Sequence, residues 1–246
     1  MSTLHTVWIN LGIYTGTITW TILGIGVSPC LYLWLRFSGE YSSAEAVRKL
    51  IWIYGRVWVW MISLFIPVRL PKEMPPSPCI LVANHTSFFD VYFVGAQPLW
   101  NVSMVVRGWP FKIIFYRFFM LAAQYINTEG SGSDHAIDRA VDMTRQGGSV
   151  LFFPEGTRSR NGALGRFYSG AFHTSLRAQV PVVPLVISGA GTMLPRGAWI
   201  IRPTRINIRL LPPIYPDKYI KYDQGHIAMR KDVKALMATA LHDTTA

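Results

Sequence analysis

Residues 79–94 read CILVANHTSFFDVYFV, and their character changes twice. Cys79 to Ala83 is an unbroken apolar run of strand length that follows Pro78, the pattern of a strand buried on both faces. Four polar residues interrupt it, and apolar residues then resume from Phe88 to Val94 as a helix would carry them. Strand, short polar turn and helix form the repeating unit of an α/β sheet. Working outward, the same alternation predicts further strands at Val102 to Val106, Gln124 to Asn127, Ser149 to Phe153, Val182 to Ile187 and Arg205 to Leu211. Helices are expected at Phe111 to Leu121, Asp134 to Gln146, Tyr168 to Ala178 and, amphipathic and basic, Ile227 to Leu241. The expected class is α/β, a mixed, mostly parallel sheet flanked by helices. In open sheets of this kind ligands gather outside the carboxyl ends of the strands.

The N-terminal quarter is different. No Asp, Glu, Lys or Arg occurs before Arg36, and Trp8 to Gly26 is long enough to cross roughly 30 Å of hydrocarbon as a helix. It has no basic leader and no small-residue cleavage site, so it is expected to be retained. A second apolar stretch, Leu50 to Val68, carries Trp52, Tyr54, Trp58 and Trp60, rings enriched at membrane interfaces, together with Arg56. Gly24, Gly26 and Pro29 are expected to bend the first stretch back, with Arg36 to Lys49 left at the surface. The division that follows is a membrane-embedded helix pair at 1–70, inserted from one face or, as the alternative, a spanning hairpin, and an α/β domain at 71–246. Pro71, Pro75, Pro76 and Pro78 stiffen the junction.

Composition narrows the partners. The formal charge is +11, from 24 Lys plus Arg against 13 Asp plus Glu, which predicts attraction to anionic matter. The cations are scattered singly among Trp, Phe and Ile, and nucleic-acid signatures are missing, so a lipid surface fits better than nucleic acid. Cys30 and Cys79 form no disulfide framework, and the six histidines show no zinc spacing, so no metal is implied.

Two motifs follow strands and carry chemistry. In Asn84-His85-Thr86-Ser87-Phe88-Phe89-Asp90 the aspartate lies five residues after the histidine. On one helix that separation points about 140° away, so the side chains meet only if His85 stands in the loop before the helix. With Ser87 as N-cap, Asp90 is the third helical residue and its carboxylate can reach back. A plain capping box is one reading. A general base, His85, oriented by Asp90, is the other.

The second motif, Phe153-Pro154-Glu155-Gly156-Thr157-Arg158-Ser159-Arg160, follows the fourth strand. Gly156 lets the backbone turn towards a ligand, Arg158 offers a bidentate fork for phosphate and Thr157 a hydroxyl donor. A β-turn with solvated arginines is the alternative. Arg166, between Gly165 and Phe167, is a further candidate cation, or an arginine near lipid headgroups.

Together, Asn-His-x-x-x-x-Asp at Asn84 to Asp90 and Phe-Pro-Glu-Gly-Thr-Arg-Ser at Phe153 to Ser159 closely resemble the lysophosphatidic acid acyltransferase family of phospholipid biosynthesis. Val180-Pro181-Val182-Val183-Pro184 resembles a later block of that family. The resemblance implies His85 as general base, Asp90 as its orienting partner, and Glu155, Gly156, Thr157 and Arg158 as the glycerol-phosphate site. It further implies a lysophospholipid acceptor, acyl-CoA or acyl carrier protein as donor and co-substrate, no other cofactor, and residence at the cytoplasmic face of the inner (plasma) membrane. One departure stands out: Thr128 occupies a position where the family often has arginine, which leaves room for a different head group, such as a lyso-aminolipid or lysophosphatidylglycerol. A non-catalytic lipid-binding protein that kept the fold is the remaining alternative.

Overall fold

The computed structural model describes residues 3–95, 97–129 and 132–245, so Met1, Ser2 and Ala246, at the ends of the two expected regions, lie outside it. The chain runs α1 (Thr3–Phe37), α2 (Ser43–Ser63), β1 (Val68–Arg69), β2 (Ile80–Ala83), α3 (Asp90–Gly95), β3 (Val102–Val106) and α4 (Ile114–Ala122). It continues β4 (Ile126–Asn127), α5 (Gly132–Arg145), β5 (Ser149–Phe152), α6 (Gly170–Ala178), β6 (Val182–Ser188), α7 (Ala190–Met193), β7 (Ile206–Leu210) and α8 (Gly225–Thr245). The seven strands form one sheet in the order β1-β7-β6-β2-β5-β3-β4. Its pairings are parallel except between β6 and β7, so the mixed, mostly parallel sheet read from the sequence is what forms.

Alternation of side chains along the central strands divides the interior in two. Leu81, Ala83, Leu151, Leu185 and Ile187 face one side, where Ile9 and Ile13 of α1, Trp58 and Ile62 of α2 and Phe93 of α3 join them. Ile80, Val82, Val150, Phe152 and Val186 face the other side, against Ala140 of α5, Phe172 of α6 and Met229, Val233 and Met237 of α8. On this second side α6 meets α8 through stacked rings of His173 and His226, 3.8 Å between centroids. Burial, then neighbouring charges, holds both imidazoles below the usual histidine range.

The helix pair departs from expectation in three ways. First, α1 is unbroken from Thr3 to Phe37, and the chain reverses only after it, where Gly39 adopts a left-handed conformation (φ 76°). Pro29 lacks the N–H that would bond the Ile25 carbonyl four residues back; the Ser28 hydroxyl donates to that carbonyl instead, at 3.1 Å. Second, Arg48 is not at the surface. It is buried, its Nε donating to Asn101 Oδ1 at 2.7 Å and its Nη1 to the Ala123 carbonyl at 3.1 Å. Third, the second stretch is not one long helix to Val68. It begins earlier, at Ser43, with a capping box formed by Ser42 and Glu45, and ends at Ser63, leaving Val68 and Arg69 to pair with β7 in the sheet.

The pair also shares its core with the sheet, and one polar residue ties α1 down. Asn10 accepts from the Ile201 N–H at 2.7 Å and donates to the Ile201 carbonyl at 2.8 Å. Trp58, fully buried, packs on Phe89, Tyr92 and Phe93 of the β2–α3 unit. Trp58→Ala is therefore expected to destabilise the whole protein by about 3–5 kcal/mol in denaturant titrations in detergent. A loss below about 1 kcal/mol would show that helix pair and sheet fold independently.

Candidate active site

Because β2 and β5 are adjacent and parallel, with Val82 opposite Phe152, the segments that follow them leave the same edge of the sheet. His85 comes two residues after β2, and Glu155 three residues after β5. Asn84 fixes the first segment: its amide donates to the Ile187 carbonyl at 2.9 Å and its oxygen accepts from the Ile187 N–H at 2.8 Å. Sequence reading gave Asn84 no task; an asparagine directly after a central strand, able to imitate one rung of a ladder, was the available signal.

Asp90 is completely buried. Its Oδ2 accepts three hydrogen bonds, from His85 Nδ1 at 2.8 Å, the Thr86 N–H at 2.6 Å and the Ser87 N–H at 2.8 Å. Only half of the expected capping box forms. The Ser87 hydroxyl donates to the Leu194 carbonyl at 3.1 Å and accepts weakly from Phe89, and α3 starts at Asp90 rather than just after Ser87. The capping and catalytic readings thus meet in one oxygen atom.

A carboxylate at Nδ1 assigns the ring proton there and leaves Nε2 of His85 with its lone pair free. Among the described residues no protein group bonds Nε2. The ring stacks on Phe153, 4.3 Å between centroids, and its side chain is 19% exposed, so it is held firmly yet open to a ligand.

The second motif clasps the backbone of His85 from both sides. The His85 N–H donates to Glu155 Oε1 at 3.1 Å, and the Ser159 N–H donates to the His85 carbonyl at 2.7 Å. Glu155 Oε2 accepts from the Gly165 N–H at 2.8 Å. Glu155 is buried and joins the two motifs through these two backbone amides. Gly156 has φ 65°, and a Cβ there would come 3.2 Å from the Tyr168 ring, so glycine is required.

Thr157 is exposed and Arg158 half-buried, and neither bonds to a described protein group. Arg158 lies one residue, about 3.8 Å of backbone, from the Ser159 amide that touches His85. Arg166 is exposed; it lies over the Tyr168 ring, 5.9 Å from its centroid, and lines a depression beside α8. Thr128 ends the β4 segment, its N–H donating to the Val106 carbonyl at 3.0 Å.

A family model described as Acyltransferase matches residues 66–188, half of the 246-residue chain. A 1-acyl-sn-glycerol-3-phosphate acyltransferase of Limnanthes douglasii is 28% identical over 82% of this chain and 70% of its own length. One from Chlamydomonas reinhardtii is 34% identical over 58% of this chain and 45% of its own length. In fold, the chain resembles the crystal structure of the 1-acyl-sn-glycerophosphate (LPA) acyltransferase from Thermotoga maritima, with a TM-score of 0.77, 20% identity, and coverage of 100% of this chain and 98% of that one.

Replacing Glu155 by Ala removes the acceptor of two amides, at half-buried His85 and exposed Gly165; water can take over at Gly165, so a stability loss of about 1–3 kcal/mol is expected, from the His85 side. Thermal unfolding in detergent checks it; an unchanged melting temperature would show that the latch is not formed.

Proposed function

The chain belongs to the Acyltransferase family, and from that premise we propose that it transfers a fatty acyl group from a thioester donor, acyl-CoA or acyl carrier protein, to the free hydroxyl of 1-acylglycerol-3-phosphate, giving phosphatidic acid. The observation that carries this reading is the 2.8 Å contact between His85 Nδ1 and Asp90 Oδ2, made by a ring whose other nitrogen bonds no described residue. The names of the relatives support the acceptor.

In this mechanism His85 Nε2 takes the proton of the acceptor hydroxyl as its oxygen attacks the thioester carbonyl. Asp90 holds the imidazolium that forms, backbone amides stabilise the oxyanion, and collapse of the tetrahedral intermediate breaks the C–S bond. The imidazolium then returns its proton to the departing thiolate. No acyl enzyme is needed. Ser87, the nearest serine in sequence, is buried and bonded to the Leu194 carbonyl, which removes it as a nucleophile. Arg158 would grip the acceptor phosphate with its fork, and Thr157 would add a donor.

The acceptor is a lipid, and the surface fits a site at the bilayer. The helix Leu4–Phe37 is long and apolar enough to cross a membrane, and only 6% of its most apolar window is buried in protein. It is also held against the protein at widely separated points, through Asn10 to Ile201 and through Trp20 and Thr21 to Tyr54. A helix lashed down in this way is better suited to lie within one leaflet than to span. α4, packed against α2, presents Ile114, Phe118 and Leu121, a stripe at helical spacing, and the 195–202 loop beside α1 presents Trp199, which is 84% exposed. With the cytoplasmic face of the inner membrane as the site, lysolipid and product would enter and leave by lateral diffusion.

Purified protein assayed with a labelled acyl-CoA and a lysolipid panel tests the reading. Lysophosphatidic acid is expected to react in preference to lysophosphatidylglycerol, and Arg158→Ala to raise the KM for that acceptor. His85→Ala is expected to slow transfer by a factor of about 10²–10⁴ without loss of vesicle binding. Equal rates across the panel would remove the phosphate monoester as the preferred head group, and undiminished transfer by His85→Ala would remove the mechanism.

A further inference from the structure

The segment that follows the second motif ends in a basic depression that the chemistry above does not use. Leu164, Gly165, Arg166 and Phe167 form one wall and Arg230, Lys231 and Lys234 of α8 the other, around a volume of about 490 Å³. Four cations meet there. None of them forms an ion pair with a described residue; the only polar tie is from Arg230 Nη1 to the Ser169 hydroxyl at 2.8 Å, and Lys234 lies 5.6 Å from the Phe167 ring centre. Four cations around one depression attract an anionic ligand.

We propose that this depression binds the phosphorylated nucleotide end, a 3′-phosphate and 5′-diphosphate, of a coenzyme A thioester donor. The proposal rests on the acyl-transfer reading. Three observations support it. The depression is tied to the catalytic residue, because its wall residue Gly165 bonds Glu155, which bonds His85. It lies on the layer of α6 and α8, the opposite face of the sheet from α1, α2 and α3, so it opens away from the bilayer and towards the water that carries the donor. Its size is that of a small-molecule site, with cations confined to Arg166 and residues 230–234, whereas docking a carrier protein needs roughly 800 Å² on each partner. Donor and acceptor would then reach His85 from opposite faces of one sheet.

The experiment uses the full chain in detergent and the variant Lys231→Glu/Lys234→Glu, with Lys231→Gln, at an exposed side chain, as a milder companion should the pair fail to fold. Affinity for 3′,5′-ADP, measured calorimetrically without acceptor, is expected to fall about tenfold or more in the double variant. The KM for acyl-CoA should rise in step, with kcat and the KM for lysophosphatidic acid unchanged, and an acyl dephospho-CoA donor should narrow the gap between wild type and variant. Unchanged 3′,5′-ADP binding would overturn the proposal. So would a rise confined to the acceptor KM, a defect confined to binding vesicles of anionic lipid, or one confined to an acyl carrier protein donor. If wild type binds 3′,5′-ADP in a lysine-dependent way but transfers no acyl group, the site stands and the reading of the reaction falls.

Discussion

A single buried oxygen, Asp90 Oδ2, organises the site. A buried carboxylate is costly unless donors meet it, and here two backbone amides and an imidazole all donate to Oδ2, while Oδ1 is buried with no partner among the described residues. Satisfying that oxygen folds residues 85–87 tightly around the start of α3, which places His85 in the loop and off the helix. The same bonds define the histidine tautomer. A structural need and a chemical one are met by one interaction, so the geometry is preorganised before any substrate arrives.

From that point the order spreads by backbone contacts. Asn84 anchors the loop to β6, Glu155 and Ser159 hold His85 from the β5 side, and Glu155 reaches on to Gly165. Two adjacent parallel strands supply the motifs, and their register brings the motifs together. Around this edge the sheet separates two worlds. One layer, with α1, α2 and α3, continues into the exposed apolar surface of α1; the other, with α5, α6 and α8, carries the basic depression. The proposed reaction, between a bilayer lipid and a water-borne thioester, would use that polarity.

Most of the sheet was legible because its central strands are buried on both faces and so read as continuous apolar runs: Val102 to Val106 matches β3 to the residue, and Cys79 to Ala83 misses β2 by one. The His85–Asp90 pair was legible too, since strand, polar turn and helix start can be arranged in few ways. What escaped was long-range. Glu155 has amide partners at positions 85 and 165, which no local pattern announces. Arg48 reads as a surface cation, yet its acceptors are Asn101 and the Ala123 carbonyl, brought near only by packing. Gly24, Gly26 and Pro29 read as a bend because the rescue of the Ile25 carbonyl by the Ser28 hydroxyl is visible only in three dimensions. The stability role of the helix pair escaped for a related reason: Trp58 reads as an interfacial ring and proves to be core.

The central claim is that Asp90 and His85 act as one unit. Comparing kcat/KM for acyl transfer in Asp90→Asn, His85→Ala and the double variant, at matched vesicle binding, tests this most directly. Residues that work as a unit are strongly non-additive, so the account predicts a large loss in each single variant, on the order of 10²–10⁴, and little further loss in the double. Losses that multiply across the double variant, or an Asp90→Asn enzyme within about tenfold of wild type, would contradict it.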